Sequence, residues 1–373
     1  LRLMNIPNNI AVERLEKPFE VRPWETEWEN SNPKWVNPVP FINARFGARP
    51  LLTSTSSLVW YIWNKDLLND TVESNPVIYL GPGSLDSHIE QLYQACVRTG
   101  KPRLIVTFEK IRSVVPVPDN VRVIHTHSMA YQYSKMFSES GVNPVYNRQV
   151  DDMEHSFMIM ASNPDGPGPH LLMMLKELGA LDNALYGSPE IKANDRTYPD
   201  DALGINRVIK DLNKGHLGGE YVRFDHKRNL SILNKCLNKC HFFVAMDRDV
   251  FYDHYVHWGI AEKHLQCFTS TAPVLPIWAD AEAQQMKEWG FRFKNNMNRR
   301  PNESLQDVVK RYCREILFYS QMTKNKDWAQ SWQDLQGEDT FHNFQLAKNL
   351  HNDISSEIVR QIDELPREFQ NLK

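Results

Sequence analysis

Glu262 and Lys263 stand side by side where a short helix is expected to begin, and Asp247, Arg248 and Asp249 follow directly on an apolar run of strand length. A lysine next to the free N–H groups of a helix start adds a full positive charge to a partial one, a combination suited to phosphate. A glutamate beside it accepts hydrogen bonds from ribose or sugar hydroxyls, so the pair could hold both ends of a nucleotide sugar. The tripeptide Asp247-Arg248-Asp249 also allows a different chemistry. Two carboxylates after a strand can hold Mn²⁺ or Mg²⁺ against a leaving diphosphate, with Asp247 and Asp249 as the metal ligands. Such tripeptides arise readily by chance in a chain with 46 acidic residues, so placement after the strand carries the weight. The metal-free arrangement is preferred, because Glu262-Lys263 and the helix start already supply positive charge. On that reading the nucleotide sugar is a co-substrate and no cofactor is needed.

These residues need elements to position them. His241 to Met246 and Pro273 to Trp278 are short apolar runs with breaks after them, and Ala261 to Thr269 between them has room for about two helical turns. Upstream, Phe157 to Ser188 reads as strand, Pro/Gly-rich loop, amphipathic helix and second strand, a βαβ unit.

The order strand, acidic loop, Ile260-Ala261-Glu262-Lys263 at a helix start, then Ala272-Pro273-Val274-Leu275-Pro276 into a strand resembles the donor half of fucosyltransferase-like glycosyltransferases and of related viral and phage glycosyltransferases. In those families the run is an apolar strand, a Glu-Asn-Ser turn, then Tyr-(Val/Ile)-Thr-Glu-Lys. Met286 to Phe291 is similar to their Leu-Gly-Phe helix end. Their Asn-Arg-x-x-Arg-x-His-Arg loop corresponds here to Asn163 to His170, which keeps Asn163 and His170 and lacks the arginines. The resemblance covers roughly residues 155 to 320. It implies a metal-independent transferase of the two-domain kind called GT-B, with Glu262, Lys263, Arg248, Asp247, Asn163 and His170 binding the donor. A metal-dependent site would belong to the other architecture, GT-A.

Before that half, Val77 to Leu80, Arg103 to Phe108 and Val121 to His125 read as strands, with helices from Leu85 to Thr99 and from Met129 to Ser138. This alternation predicts an α/β fold with parallel sheets, in two Rossmann-like regions near 75 to 150 and 155 to 295. The expected organisation is an acceptor-side domain over 1–150 with a Trp- and Pro-rich lead-in, a donor domain over 151–325, and C-terminal helices over 326–373 that pack back, including an amphipathic stretch from Asp353 to Leu365. Trp24, Trp28 and Trp35 in the lead-in are read first as packing residues, with sugar or base stacking as the alternative. Ligands in open α/β sheets sit beyond the carboxyl ends of the strands, so the loops there hold the candidate bases. Asp86, His88, Glu109 and His127 lie in or beside those loops, and one of them is expected to take the acceptor proton if the reaction inverts. Gly81-Pro82-Gly83-Ser84 reads as a tight turn with Ser84 as a helix cap.

Composition narrows the rest. With 373 residues, 41% hydrophobic and 24% charged, the chain has the make-up of a globular protein, and a net charge of −3 gives no global drive toward nucleic acid or anionic membrane. Arg223, Lys227, Arg228, Lys235 and Lys239 against Asp225 are a local exception, read as a solvated helix face or as a positive wall near a diphosphate or polyanion. No apolar stretch approaches the ~18 residues that cross a bilayer, and no secretory leader is visible. Five cysteines, with Cys236 and Cys240 on a Lys-rich helix, are expected to be reduced thiols. The expected partners are a nucleotide sugar and a glycan or other hydroxyl acceptor, in the cytoplasm, or in the host cytoplasm for a viral chain. Two other classes stay open: a glycosyltransferase-like binding module without turnover, and an enzyme that glycosylates a hydroxylated base in viral DNA.

Overall fold

The strands stand where mainly apolar runs lie in the sequence: β1 (Val77–Leu80), β2 (Arg103–Thr107), β3 (Val121–His125), β4 (His155–Met160), β5 (Ala184–Gly187), β6 (Cys240–Met246) and β7 (Val274–Ile277). The computed structural model describes residues 65–80, 86–107, 110–160, 168–187, 226–246, 260, 262–293, 296–298, 300 and 303–372. Within them the chain forms a three-stranded sheet in the order β1-β2-β3 and a four-stranded sheet in the order β5-β4-β6-β7. Every pairing is parallel. Parallel strands are covered on both faces, which is why β2 and β6 are buried at every position and read as unbroken runs rather than alternating ones. Chain contacts divide the molecule into Leu1–Pro38, outside the described residues, and Val39–Lys373, which holds both sheets.

The outer face of the first sheet carries α1 (Lys65–Ser74) and α2 (Asp86–Thr99). In α2, Ile89, Leu92, Tyr93 and Cys96 recur at helical spacing and meet Ile78, Leu80 and Ile105 of the sheet. The outer face of the second sheet is covered by α4 (Gly168–Glu177) and α8 (Leu305–Met322), which pack Leu171, Leu175, Val308, Tyr312 and Ile316 onto Phe157, Phe242 and Val244.

Between the sheets lies one continuous apolar core. It joins Leu104, Val106 and Ile124 of the first sheet to Met158, Phe243 and Ala245 of the second. The intervening helices are α3 (Ser128–Glu139), α5 (His226–Asn238), α6 (Glu262–Gln266) and α7 (Asp280–Glu288), crossed by α9 (Lys326–Asp363). α9 has 38 residues, a length of about 57 Å. Asn325 caps it by accepting from the Trp328 N–H, and its buried stripe Phe344, Ala347, Leu350, Ile354, Ile358 and Ile362 serves the shared core. Near its end Gln361 exchanges two hydrogen bonds with the backbone of His125, 2.9 Å and 3.1 Å, in the manner of a neighbouring strand on the exposed edge of β3. A last short helix, α10 (Arg367–Gln370), follows.

Two elements differ from expectation. The helix expected over Ala261 to Thr269 stops at Gln266, because Phe268 and Thr269 close i→i+3 bonds and the Thr269 and Ser270 hydroxyls bind neighbouring backbone. The stretch from Asp353 is the end of a much longer helix that stops at Asp363, since Phe344, Ala347 and Leu350 before it continue the same buried stripe and the polar Gln333, Thr340 and Asn343 are buried with them.

The buried Arg148 ties the second sheet to the segment that connects the two sheets. Its guanidinium donates to Gln333 Oε1 at 3.0 Å, to the Leu237 carbonyl at 3.1 Å and to the Cys240 carbonyl. The Leu237 and Asn238 carbonyls end α5, where a positive charge is favoured. Gln333 in turn donates to the His241 carbonyl at 2.7 Å.

Candidate functional site

The strand order of the second sheet contains a topological switch point. The chain leaving β4 crosses through α4 to β5 on one side, and the chain leaving β6 crosses through α6 to β7 on the other. The two connections diverge at the carboxyl ends of β4 and β6, and such switch points are where open α/β sheets take ligands. The backbone puts His170 in the first turn of α4 and Glu262 and Lys263 as the first two residues of α6, each on a connection that leaves one of these two strands. The side chains of those three, and the whole of Asn163, Asp247, Arg248 and Asp249, lie outside the described residues. α6 is anchored from behind. Leu265, Cys267 and Phe268 are buried in the shared core, and the His264 ring lies 5.2 Å from that of Trp278.

The carboxyl edge of the first sheet holds the candidate bases, and the structure gives them different surroundings. Asp86, at the start of α2, accepts from the Ser113 hydroxyl and from the Val114 N–H at 3.2 Å, so its carboxylate holds the turn at 113–115. His88 is half-buried two residues further into the first turn, and burial lowers its pKa. Glu109 lies outside the described residues. His127 precedes α3 with a left-handed backbone, φ 46° and ψ 47°, a conformation that histidine adopts more readily than most residues other than glycine, asparagine and aspartate. It is buried, and burial first, then the charges of Lys110 and Arg112, push it down to about 4 against the opposing influence of Glu357 and Glu288. It is therefore neutral at pH 7, and its burial disfavours the protonated ring.

Across from it stands the end of α7. Trp289 meets the His127 ring edge to face at 5.0 Å, and Lys110 lies 3.9 Å from Glu288. Gly290 allows this. Its φ of 95° turns the chain so that the Phe291 N–H reaches the Met286 carbonyl at 3.0 Å, a helix-ending motif that lets Phe291 return to the core. One guanidinium nitrogen of Arg112 is buried here without a hydrogen-bond partner among the described residues.

No known protein family, curated protein or solved structure matches this chain.

What the site can do follows from its parts. The connections that leave β4 and β6 carry helix starts and, in sequence, a lysine, a glutamate and an arginine. The first sheet supplies a neutral histidine and nearby cations. Among the described residues no group of three or more His, Cys, Asp or Glu is placed to share a metal ion, and Asp247 and Asp249 are not among those residues. Among the described residues, no helix is long and apolar enough to cross a membrane. Lys239 of the basic segment is used in an ion pair with Glu154 at 2.8 Å. Trp289 and Arg112 were not singled out from the sequence. The Trp-Gly-Phe helix end was the visible signal for Trp289, since a glycine after a helix fixes the direction of the residue before it.

Proposed function

We propose that this chain is a glycosyltransferase of two Rossmann-like domains in the GT-B manner, moving a sugar from a nucleoside diphosphate sugar to a hydroxyl acceptor without a metal. The first sheet would belong to an acceptor-side domain over 1–150, the second to a donor domain over 151–325, with the helices of 326–373 bracing them. One observation carries the reading: the strand order β5-β4-β6-β7 creates a switch point, and Asn163 to His170 and Asp247 to Lys263 are the segments that follow its two strands. Lys263 and the α6 start, with Arg248, hold the diphosphate, while Glu262 orients the donor sugar. The acceptor oxygen attacks the anomeric carbon, the bond from that carbon to the diphosphate oxygen breaks, and the acceptor proton passes to a base on the first sheet. His88, which is half-buried, suits that role better than Asp86, whose carboxylate is occupied with Ser113 and Val114, or His127, whose burial disfavours the protonated ring. The cytoplasm is the proposed compartment, supported by five free cysteines.

The test is a thermal-shift titration with GDP, UDP, CDP and their sugar conjugates, with and without Mn²⁺, on the native chain and on Glu262→Ala/Lys263→Ala. A metal-independent shift with one nucleotide, lost in the double variant, is expected. A shift that requires Mn²⁺ and survives the substitutions would move the site to Asp247 and Asp249, and no shift at all would end the transferase reading. The burial of His127 and the engagement of Asp86 favour one second reading, a nucleotide-binding module without turnover. That module would bind a nucleotide sugar and leave it intact.

A further inference from the structure

Along the open edge of the second sheet, beyond β7, a pocket of ≈ 640 Å³ lies between α7 and α8. Its floor is Leu275 of β7 and Met297, whose N–H donates to the Pro276 carbonyl at 2.9 Å. Pro276 has no N–H to offer a further strand, so the sheet ends there and side chains surround the remaining space. α7 lends Asp280 and Lys287, α8 lends Arg311, Glu315 and Tyr319, and Arg300 closes the rim. Arg311 is already committed: it grips the Glu303 carboxylate at 2.8 and 2.7 Å and the Asn298 carbonyl at 2.7 Å, a partly buried pair that stiffens the wall. With that pair neutralised, Lys287, which lies 5.4 Å over the Phe293 ring, and Arg300 stand against Glu315 and Asp280, whose carboxylate also accepts from the Asn298 amide. Balanced charge of this kind disfavours a polyanion and offers donors and acceptors together.

Tyr319 continues outside the pocket as an aromatic row. It stacks on Trp332 at 5.2 Å and 22°, Trp332 lies 5.3 Å from Trp328, and Phe318 beside it is 53% exposed. A sugar ring matches this combination. Its hydroxyls pair with carboxylate, amide and guanidinium groups, and its C–H face covers an aromatic ring. The volume falls within the range of about 300–1,000 Å³ usual for small-ligand sites.

We propose that this pocket is a saccharide-binding subsite that takes a neutral mono- or disaccharide unit of a glycan, one strand removed from the β4–β6 switch point. It goes beyond the nucleotide-sugar site and does not depend on turnover there. A transferase would use it as a foothold for the acceptor, and a binding module would use it as its glycan site.

The experiment is saturation-transfer NMR on the full chain, without nucleotide, using glucose, galactose, N-acetylglucosamine, fucose, lactose and cellobiose. At least one is expected to bind saturably. Glu315→Ala/Lys287→Ala, two exposed positions, is expected to weaken it at least about tenfold without changing the melting temperature. Glu262→Ala/Lys263→Ala is expected to leave it intact. The proposal is overturned if none of the sugars binds, if the pocket variant binds as well as the native chain, or if inorganic phosphate binds in their place and is lost in that variant. Nucleotide titrations of the same samples keep the two sites apart. Sugar binding without nucleotide binding ends the transferase reading alone, and nucleotide binding without sugar binding ends the subsite alone.

Discussion

The first sheet runs β1-β2-β3, each connection stepping to the same side, whereas the second runs β5-β4-β6-β7, and its connections part at β4 and β6. Among the described strands, only the second sheet therefore has a switch point where two connections diverge, the place where open α/β sheets take ligands. The first contributes a different asset, a buried histidine held in a left-handed backbone against the end of α7. The difference teaches that similar strand runs and helices can produce one sheet with a switch point and one without. The two regions are nonetheless mechanically joined, because a single apolar core lies between them.

That joining can be broken most directly at Phe344, which meets Phe137 of α3 edge to face at 5.0 Å. Phe344→Ala is expected to cost about 4 kcal/mol, and the two regions should still unfold in one transition. Urea unfolding followed by both far-ultraviolet circular dichroism and tryptophan fluorescence checks this, and two separated transitions would show that the regions are independent.

Acid distinguishes the regions next, since each has one buried histidine pushed down to about 4, His127 in the first and His241 in the second. Their folded pKa values lie below the unfolded one of about 6.5, so the unfolded chain takes up the proton first. The stability they contribute is complete above about pH 6.5 and is lost as pH falls toward 4, on the order of 3 kcal/mol for each. His127→Asn keeps a residue tolerant of the left-handed backbone and should remove about half of the slope of the urea midpoint between pH 6.5 and 4. An unchanged slope would mean that His127 is not buried neutral.

Arg148 tests the clamp on the second region. Arg148→Met should destabilise by about 3 kcal/mol, because the carbonyls of Leu237 and Cys240 and the Gln333 side chain lose a charged donor together. Thermal unfolding measures it, and a loss below about 1 kcal/mol would reduce the clamp to ordinary packing. The smallest expected effect is at the edge of the first region, where Gln361→Ala should cost about 1 kcal/mol by freeing the His125 N–H and C=O. Amide exchange at His125 should accelerate in that variant, while exchange in β6 stays as it was.

Much of this was visible in the residues themselves. Strands such as Arg103–Thr107 and Cys240–Met246 are legible because a parallel strand buried on both faces is apolar along most of its length, with polar residues such as Arg103 at the ends, where it donates to the Val72 and Glu73 carbonyls. The start of α6 at Glu262 is legible from the break before it, and its end is less so, because Thr269 and Ser270 bind local backbone instead of extending the helix. Asp86 was recognised as an acid near a strand end, but its engagement by Ser113, 27 residues away, has no local signal. Arg148 had none either, since a single arginine in a polar segment looks solvated until the ends of α5 and α9 close over it.

By itself the sequence determined the α/β class, the positions of the strands and the helix that carries Glu262 and Lys263, because these depend on short-range periodicity and on which side chains avoid water. The order of the strands, the core shared by the two sheets, the contact of Trp289 with His127 and the polar pocket beside β7 were decided by tertiary structure alone. Each joins residues distant in the chain, and what selects them is the packing of whole layers, which no local pattern of residues encodes.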